Sequence, residues 1–288
     1  MLQQNPFYCA HGWRLLPERE KTGLFFFKGE EESMLPYFVL FGRAIPLYGV
    51  CMAAGIALAA VLAIFRAKRA GMDENDMIVI LACAVGLGLV GAKALYLGVT
   101  YGLKGTLTLL RTGNFAILVE SGQVYYGGLL FGIAGAVIAA MCLRVKGENV
   151  AYAVVPVLPL GHAFGRIGCF LGGCCYGLPC GAPWGVDFSA AGVAGRMFPI
   201  QLAEAFLNLL LAAALTAYAK KAQNRWNILF AYMGAYGILR FSLEFFRGDL
   251  ARGMGGGLST SQWISLTLML AALAAALLLR GKRLKGAK

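Results

Sequence analysis

Four charged side chains stand out because their spacing allows them to bind one anion. Arg240, Glu244 and Arg247 occupy positions i, i+4 and i+7, which lie on one face if the segment is helical. Two arginines beside one glutamate leave a surplus positive charge, and a planar guanidinium binds phosphate oxygens in a bidentate manner. Arg166 begins a second unusual segment, GRIGCFLGGCCYG at 165–177. These residues predict a phosphate site, with a purely structural salt bridge as the alternative.

The elements that carry these residues are predicted to be membrane-spanning helices. The chain has 288 residues, of which 59% are hydrophobic and 14% charged, and its mean hydropathy is +0.68. Soluble domains are about 45–50% apolar and about 25% charged, so this composition excludes an ordinary soluble domain. Apolar runs approach the roughly 20 residues that cross a bilayer, at 45–65, 77–97, 125–143, 151–165, 200–219, 227–246 and 262–279. We therefore predict an all-α, polytopic membrane protein with about seven transmembrane helices.

The distribution of basic residues predicts the orientation of the chain. Clusters follow the first, third, fifth and seventh spans, namely Arg66, Lys68 and Arg69, then Arg144 and Lys146, then Lys220, Lys221 and Arg225, then Arg280, Lys282, Arg283, Lys285 and Lys288. Loops rich in Lys and Arg stay in the cytoplasm. The N-terminus is therefore predicted outside and the C-terminus inside. The net charge of +12 follows from this topology, and no nucleic-acid partner is predicted.

The predicted domain organisation is simple. A polar extracytoplasmic tail at 1–40 precedes one transmembrane domain at 41–288, with outer loops at 98–124 and 166–198. Lys93, Arg240 and Glu244 fall inside spans. A charge at the centre of a spanning helix costs about 2.5–3.5 kcal/mol on insertion scales, so these side chains are expected to face a partner or an aqueous cavity.

Six segments, in order, carry a resemblance to one family. They are IPLYG at 45–49, YYGGLLFG at 125–132, GRIGCFLGGCCYG at 165–177, FPIQLAE at 198–204, RFSLEFFRGD at 240–249 and LSTSQWISL at 258–266. Together they resemble the motifs of the prolipoprotein diacylglyceryl transferases of bacterial inner membranes. The third segment occupies the place of the family signature, GRxGNFxNxExxG. The resemblance runs from about residue 36 to the final span.

The resemblance implies an activity, partners and a location. Members of the family move the diacylglyceryl group of phosphatidylglycerol to the thiol of a lipobox cysteine in a signal-peptide-bearing preprolipoprotein, and glycerol phosphate leaves. The implied partners are therefore phosphatidylglycerol, the preprolipoprotein and the lipid bilayer. The implied location is the bacterial cytoplasmic (inner) membrane, as a multi-pass protein. No metal and no cofactor is implied.

The same resemblance implies roles for particular residues. Arg166, Arg240 and Arg247 would hold the head group, and Glu244 would orient an arginine. Tyr126 stands at the place of a catalytic histidine. Tyr48 and Gln262 would line the lipid cavity, and Glu204 would be a further polar support. The full set of implied substrate contacts is Tyr48, Gly127, Gly128, Cys169, Gly177, Gln201, Glu204 and Gln262.

The sequence departs from the family pattern at several of these positions. Cys169 and Gly172 stand where the signature has Asn, and Cys174 stands where it has Glu. Tyr126 and Phe198 replace histidines. A phenol ionises only near pH 10 or so, so a tyrosine is a poor general base at neutral pH. Two alternatives therefore stay open: a paralogue that uses another acceptor, and a non-enzymatic phospholipid-binding or transport protein.

Four cysteines lie close together in the signature region, at 169, 174, 175 and 180. They contain no Cys-x-x-Cys pair, which makes the sequence signal for zinc weak. A disulfide, a metal site, a direct role in group transfer and inert packing all remain open. His162, four residues before Arg166, is predicted to make a hydrogen bond in the core rather than to act as a base.

Overall fold

The computed structural model of the chain describes residues 37–40, 43–113, 122, 124–248 and 254–286. Its helices are α1 Leu47–Arg69, α2 Glu74–Thr112, α3 Tyr125–Cys142, α4 Gly147–Val154, α5 Leu158–Leu171, α6 Ile200–Ala219, α7 Trp226–Glu244 and α8 Thr260–Gly286. Within these ranges, strands form three short antiparallel pairs, Tyr37–Leu40 with Arg43–Pro46, Val186–Asp187 with Arg196–Met197, and Met254–Gly255 with Leu258–Ser259. The predicted all-α class is confirmed.

Six helical segments of the described chain are long and apolar enough to cross a membrane. They are α1, α2, α3, α4 with α5, α6 and the described apolar part of α8. The remaining predicted span corresponds to α7, which has 19 residues and carries Arg240 and Glu244 near its end. The polytopic architecture is therefore confirmed, whereas the count of seven spans and the orientation stay predictions. The tail at 1–36, with Cys9 and His11, and residues 114–121 of the first predicted loop lie outside the described residues.

The described residues form two compact units, and the predicted division into a tail and one transmembrane domain stays a prediction. One comprises the described residues of 1–62 and 151–288, and the other those of 63–150. In the second unit, α2 and α3 approach closely through glycines. A Cβ atom at Gly91 would collide with Phe131 and with the carbonyl oxygen of Gly127, and one at Gly135 with the carbonyl oxygen of Cys83. Small residues let helix backbones come together where lipid gives no hydrophobic driving force.

The prediction of a loop at 98–124 is wrong for residues 98–112, because α2 continues to Thr112. Gly102 breaks this helix with φ 67°, and a second helical segment follows it. Thr106, Thr108 and Thr112 donate their hydroxyl hydrogen bonds to carbonyl oxygens of the preceding turn. The glycines and threonines that suggest a loop in the sequence therefore form a broken helix, with Gly113 as its left-handed C-cap.

In the first unit, Pro156 and Pro159 interrupt one membrane segment. A 3₁₀ turn at Val155–Val157 separates α4 from α5, because proline lacks the N–H that an α-helix needs and fits only its first turn. Helix α5 packs on the first part of α1, where a Cβ at Gly168 would lie 3.2 Å from both Tyr48 and Cys51. Helix α5 also packs on α6, and α7 packs on α8.

The second predicted loop, at 166–198, begins later than expected. Helix α5 extends to Leu171, so Arg166 and Cys169 project from a helix rather than from a loop. The apolar residues of 167–171 continue the buried pattern of the helix for more than one further turn. The non-helical chain that follows is fixed by Phe188, which is fully buried and contacts the rings of Phe170 and Tyr176 edge-on and tilted, respectively.

Candidate functional site

Glu204 is the centre of the charged cluster in the first unit. It projects from the first turns of α6, and only 1% of its surface is exposed. Its Oε1 atom lies 3.1 Å from Nε of Arg166 and 4.0 Å from Nε2 of His162, and its Oε2 atom lies 3.8 Å from Nη1 of Arg247. The sequence assigned Glu204 only a supporting role. The structure instead places this one carboxylate among three basic side chains.

Arg240 and Glu244 form a second buried pair on α7. Nη2 of Arg240 lies 2.6 Å from Oε2 of Glu244, one helical turn away, and donates a hydrogen bond of 3.1 Å to the hydroxyl of Ser261. The predicted i, i+4 pairing is confirmed. Nη1 of Arg240 is buried and has no hydrogen-bond partner among the described residues. This guanidinium edge is therefore free to bind an anion.

Arg247 departs from the predicted common helical face, because α7 ends at Glu244. The chain turns at 245–246, and the backbone of Arg247 forms an isolated β-bridge with Gly177. Its side chain lies 3.8 Å from the carboxylate of Glu204, on α6. The prediction that Arg247 shares a helical face with Arg240 and Glu244 was wrong because it extended the helical periodicity beyond the end of α7.

Gly177 joins three of the motif segments through its backbone. The N–H of Gly177 donates to the carbonyl of Phe198, and the N–H of Leu178 donates to the carbonyl of Phe246, at 2.9 and 3.0 Å. The end of the signature thus lies between the segments that begin α6 and follow α7. This role is structural, whereas the sequence analysis expected a substrate contact at Gly177.

Replacing Gly177 by alanine is expected to lower both stability and activity. The added Cβ would lie 2.7 Å from the carbonyl oxygen of Phe198 and 2.9 Å from that of Phe246, and overpacking of this kind costs about 1–3 kcal/mol. Gly181→Ala is the matched control, since nothing lies within 4 Å of the added atom. Thermal unfolding of the two variants in detergent measures the difference. Equal melting temperatures would contradict the backbone role.

Asn208 is a fully buried polar residue on α6 that was not predicted from the sequence. Gln201, Glu204 and Asn208 stand at i, i+3 and i+7, and this polar stripe in an apolar helix is the signal that would have identified it. The Asn208 side chain donates a hydrogen bond of 2.8 Å to the carbonyl of Glu204. Gln201 donates one of 2.7 Å to the carbonyl of Cys174. Through Gln201 the stripe therefore ties the cysteine-rich turn to α6.

Gln262 has a structural contact that its sequence-based role did not include. Its Oε1 atom accepts a hydrogen bond of 2.9 Å from the N–H of Ser259, and Ser259 Oγ accepts one from the N–H of Gln262. This reciprocal pair is a capping box, S-x-x-Q, at the start of α8. It fixes the first turn of α8, which also carries Ser261, the hydroxyl partner of Arg240.

The remaining predicted site residues lie on three elements. Tyr48 is on the first turn of α1 and packs against Gly168. Tyr126 is on the first turn of α3, in the other unit, and 40% of its surface is exposed. Gly127 and Gly128 follow it, and Gly127 packs tightly on α2. Cys169 is buried on the last turn of α5, and His162, one turn before Arg166, has its ring tilted against Tyr236.

The assembled cluster has the charge that a phosphate site needs. The cluster contains three buried or nearly buried arginines and two glutamates. The arginines are Arg166, Arg240 and Arg247. One positive charge is therefore in excess when His162 is neutral. Uncompensated charge is expensive in a membrane interior, so this excess favours a bound anion. Guanidinium groups bind phosphate through charge-assisted hydrogen bonds.

Comparison with known proteins places the chain among membrane transferases. A family model described as prolipoprotein diacylglyceryl transferase matches residues 36–278. A phosphatidylglycerol–prolipoprotein diacylglyceryl transferase of Clostridium tetani is 36% identical over 237 residues, which are 80% of this chain and 91% of the relative. The second such transferase of Clostridium perfringens is 32% identical over 253 residues, covering 86% and 95%.

A third relative has the same name. The phosphatidylglycerol–prolipoprotein diacylglyceryl transferase of Clostridioides difficile is 30% identical over 229 residues, which are 80% of this chain and 88% of the relative. The family model covers most of the chain, and it spans all six motif segments. The helices identify a multi-pass membrane protein. Chain-wide similarity and ordered motifs lead to one conclusion: this chain is a member of the prolipoprotein diacylglyceryl transferase family.

Proposed function

We propose that this protein transfers the diacylglyceryl group of phosphatidylglycerol to the thiol of a cysteine in a prolipoprotein. The relatives that match most of the chain are named for this reaction. The reaction requires a cationic site for a phospholipid head group at membrane depth. The proposed location is the bacterial cytoplasmic membrane, with the head-group site toward the outer face, in agreement with the predicted orientation.

One observation carries the proposal: the excess positive charge of the buried arginine–glutamate cluster. Arg240 supports it most directly, because Nη2 is held by Glu244 and Ser261 while the buried Nη1 has no hydrogen-bond partner among the described residues. A salt bridge that served packing alone would satisfy both ends of the guanidinium. A phosphate oxygen supplies the missing acceptor.

The chemistry that this cluster supports is stabilisation of the leaving group. The acceptor sulfur attacks the glyceryl carbon of the lipid, a C–S bond forms, and the bond from that carbon to the phosphate oxygen breaks. Its electron pair stays on the phosphate, and glycerol phosphate departs. Preorganised cations at the atom where charge develops are commonly the largest contribution to catalysis. Arg166, Arg240 and Arg247 are the proposed groups for that role.

The glutamates and the polar stripe are proposed to act through the arginines. Glu244 holds Arg240, and Glu204 holds Arg166 and Arg247, so each guanidinium is positioned before the lipid binds. Positioning of this kind lowers the entropy that must be lost on binding. Tyr48, Tyr126, Gly127 and Gly128 stay predicted substrate contacts, and Tyr126 is proposed as a hydrogen-bond donor.

A transfer assay with purified protein tests the proposal. Phosphatidylglycerol and a lipobox peptide are incubated with the protein, and mass spectrometry follows both products. We expect the peptide to gain a diacylglyceryl group while glycerol phosphate is released, and we expect no gain for a peptide whose cysteine is replaced by serine. Bound phospholipid with no modified peptide would contradict the proposal and would favour another acceptor or a lipid-binding protein.

A further inference from the structure

Three thiols meet at the end of α5, beside the arginine cluster. The Sγ atoms of Cys169, Cys174 and Cys175 all lie within 4.8 Å of one another. All three side chains are thiols in the structure, and Cys169 is buried while the other two are half-buried. Cys180, the fourth cysteine of the region, does not belong to this group. The cluster therefore contains three of the four cysteines that lie close together in the sequence.

The chain adopts an unfavourable backbone to bring these thiols together. Gly173 has φ 66° and Cys175 has φ 60°, a left-handed conformation that costs a non-glycine residue about 1–3 kcal/mol. Two hydrogen bonds hold the turn: Cys174 N–H donates to the carbonyl of Cys169 at 3.0 Å, and Gln201 Nε2 donates to the carbonyl of Cys174 at 2.7 Å. Both bonds are made by Cys174, so the strained Cys175 directly follows a residue that is held from two sides. Backbone strain that the surrounding structure maintains is typical of functional sites.

The geometry of the thiols matches a metal-binding set. Zn–S bonds of about 2.3 Å in a tetrahedron place sulfur atoms about 3.8 Å apart, so small side-chain rotations convert this group into three ligands. Thiolates select soft ions such as Zn²⁺. No histidine or carboxylate of the described chain joins the three thiols within the same distance. A tetrahedral ion held here would keep one open position, which distinguishes catalytic zinc sites from structural ones.

We propose that Cys169, Cys174 and Cys175 bind one Zn²⁺ ion, and that its fourth position takes the thiol of the acceptor cysteine. The second half of this statement rests on the proposed function, because it concerns the acceptor of that reaction. A thiol that coordinates zinc loses its proton and becomes a thiolate at neutral pH. The site therefore supplies the activation of sulfur that Tyr126, at the place of the family's histidine, is poorly suited to provide.

The step balances without a further reactant. The acceptor thiol binds the ion and releases its proton to water. The bound sulfur attacks the glyceryl carbon, the C–S bond forms, and the C–O bond to the phosphate breaks, with the electron pair leaving on the phosphate oxygen. Nothing is oxidised or reduced.

The two halves of the reaction are adjacent in the fold. Arg166 lies three residues before Cys169 on α5, and its Nε atom lies 3.1 Å from Oε1 of Glu204. Gln201, which holds the carbonyl of Cys174, lies one turn before Glu204 on α6. The proposed sulfur activation and the proposed phosphate site therefore share Arg166 and α6.

Metal analysis of the full-length protein tests the zinc site without reference to activity. Chelator-treated, reduced protein is titrated with Zn²⁺ and with Co²⁺ as a spectroscopic probe. We expect one equivalent to bind, with thiolate-to-Co²⁺ charge-transfer absorption, and we expect Cys169→Ser, Cys174→Ser and Cys175→Ser each to weaken binding on the order of 100-fold. Cys180→Ser is the matched control and is expected to bind like the parent. The site would be overturned if the parent binds no metal or if the three variants bind it as tightly as the parent. It would also be overturned if two of the three cysteines remain joined in a disulfide after treatment with reductant.

The transfer assay then separates the two proposals. We expect the zinc-loaded protein to modify the lipobox peptide and the metal-free protein to be at least tenfold slower, with recovery on adding Zn²⁺. Equal rates with and without zinc would overturn the activating role and leave the transferase function intact. Stoichiometric zinc binding without any peptide modification would instead reject the proposed function and with it the role of the fourth position.

Discussion

Replacing Arg240 by alanine is expected to lower the rate of diacylglyceryl transfer by about 10²–10³, which is the usual effect of removing one donor from a developing oxyanion. The reason is the guanidinium edge at Nη1, which is buried and has no hydrogen-bond partner among the described residues. Arg240→Lys keeps the charge but not the planar fork, so it is expected to recover only part of the rate. The measurement is the rate of peptide modification at saturating lipid.

Two controls separate this effect from loss of folding. Arg240→Ala leaves Glu244 buried without its arginine, and breaking a buried pair costs about 3–5 kcal/mol. The double variant Arg240→Gln, Glu244→Gln removes both charges and is expected to restore the melting temperature but not the transfer rate. Arg111→Ala changes an exposed arginine at the end of α2 and is expected to change neither. An active double variant would show that Arg240 serves packing alone.

Replacing Glu204 by alanine is expected to cause a large loss of stability. The carboxylate is almost fully buried among Arg166, Arg247 and His162, so its removal leaves uncompensated positive charge at a cost of about 3–5 kcal/mol. Glu204→Gln keeps the shape of the side chain but not its charge, and its melting temperature is expected to fall between those of the parent and of Glu204→Ala. Thermal unfolding in detergent measures the order.

Glu74→Ala is the matched control for Glu204→Ala. Glu74 lies 2.6 Å from Lys68, which is closer than Glu204 lies to Arg166. Both side chains of the Lys68–Glu74 pair are exposed, however. Exposed ion pairs contribute about 0–1 kcal/mol. Burial, rather than distance, is therefore expected to decide the size of the effect. A larger loss of stability in Glu74→Ala than in Glu204→Ala would contradict the central place of Glu204 in the cluster.

The helices were predictable because membrane spans have a strong and simple signal. Each of the seven predicted spans corresponds to a helix or, for 151–165, to two helices separated at the prolines. The extension of α2 beyond residue 97 was not predictable from apolarity. The threonine hydroxyls of this part donate hydrogen bonds to the helix's own carbonyls, whereas in sequence threonines look like loop residues.

The charged residues of the site and the pairing of Arg240 with Glu244 were predictable, but the partner of Arg247 was not. The cost of burying charge identified Arg240 and Glu244 from sequence. Helical spacing added Arg247, and the signature segment added Arg166. The pairing of Arg247 with Glu204 depends on the end of α7 and on the β-bridge to Gly177, which are tertiary features. The capping role of Gln262 was visible in Ser-Thr-Ser-Gln, since S-x-x-Q before an apolar run is a known cap signal.

Retention of lipid by the arginine cluster is the most direct test of the account. Native mass spectrometry is applied to the purified protein and to Arg166→Ala and Arg240→Ala, each mixed with phosphatidylglycerol or, as a control, with diacylglycerol, which has the same chains and no phosphate. We predict that the parent retains one phosphatidylglycerol in preference to diacylglycerol and that both variants lose this preference. Equal retention of phosphatidylglycerol by parent and variants would show that the cluster does not bind the phosphate.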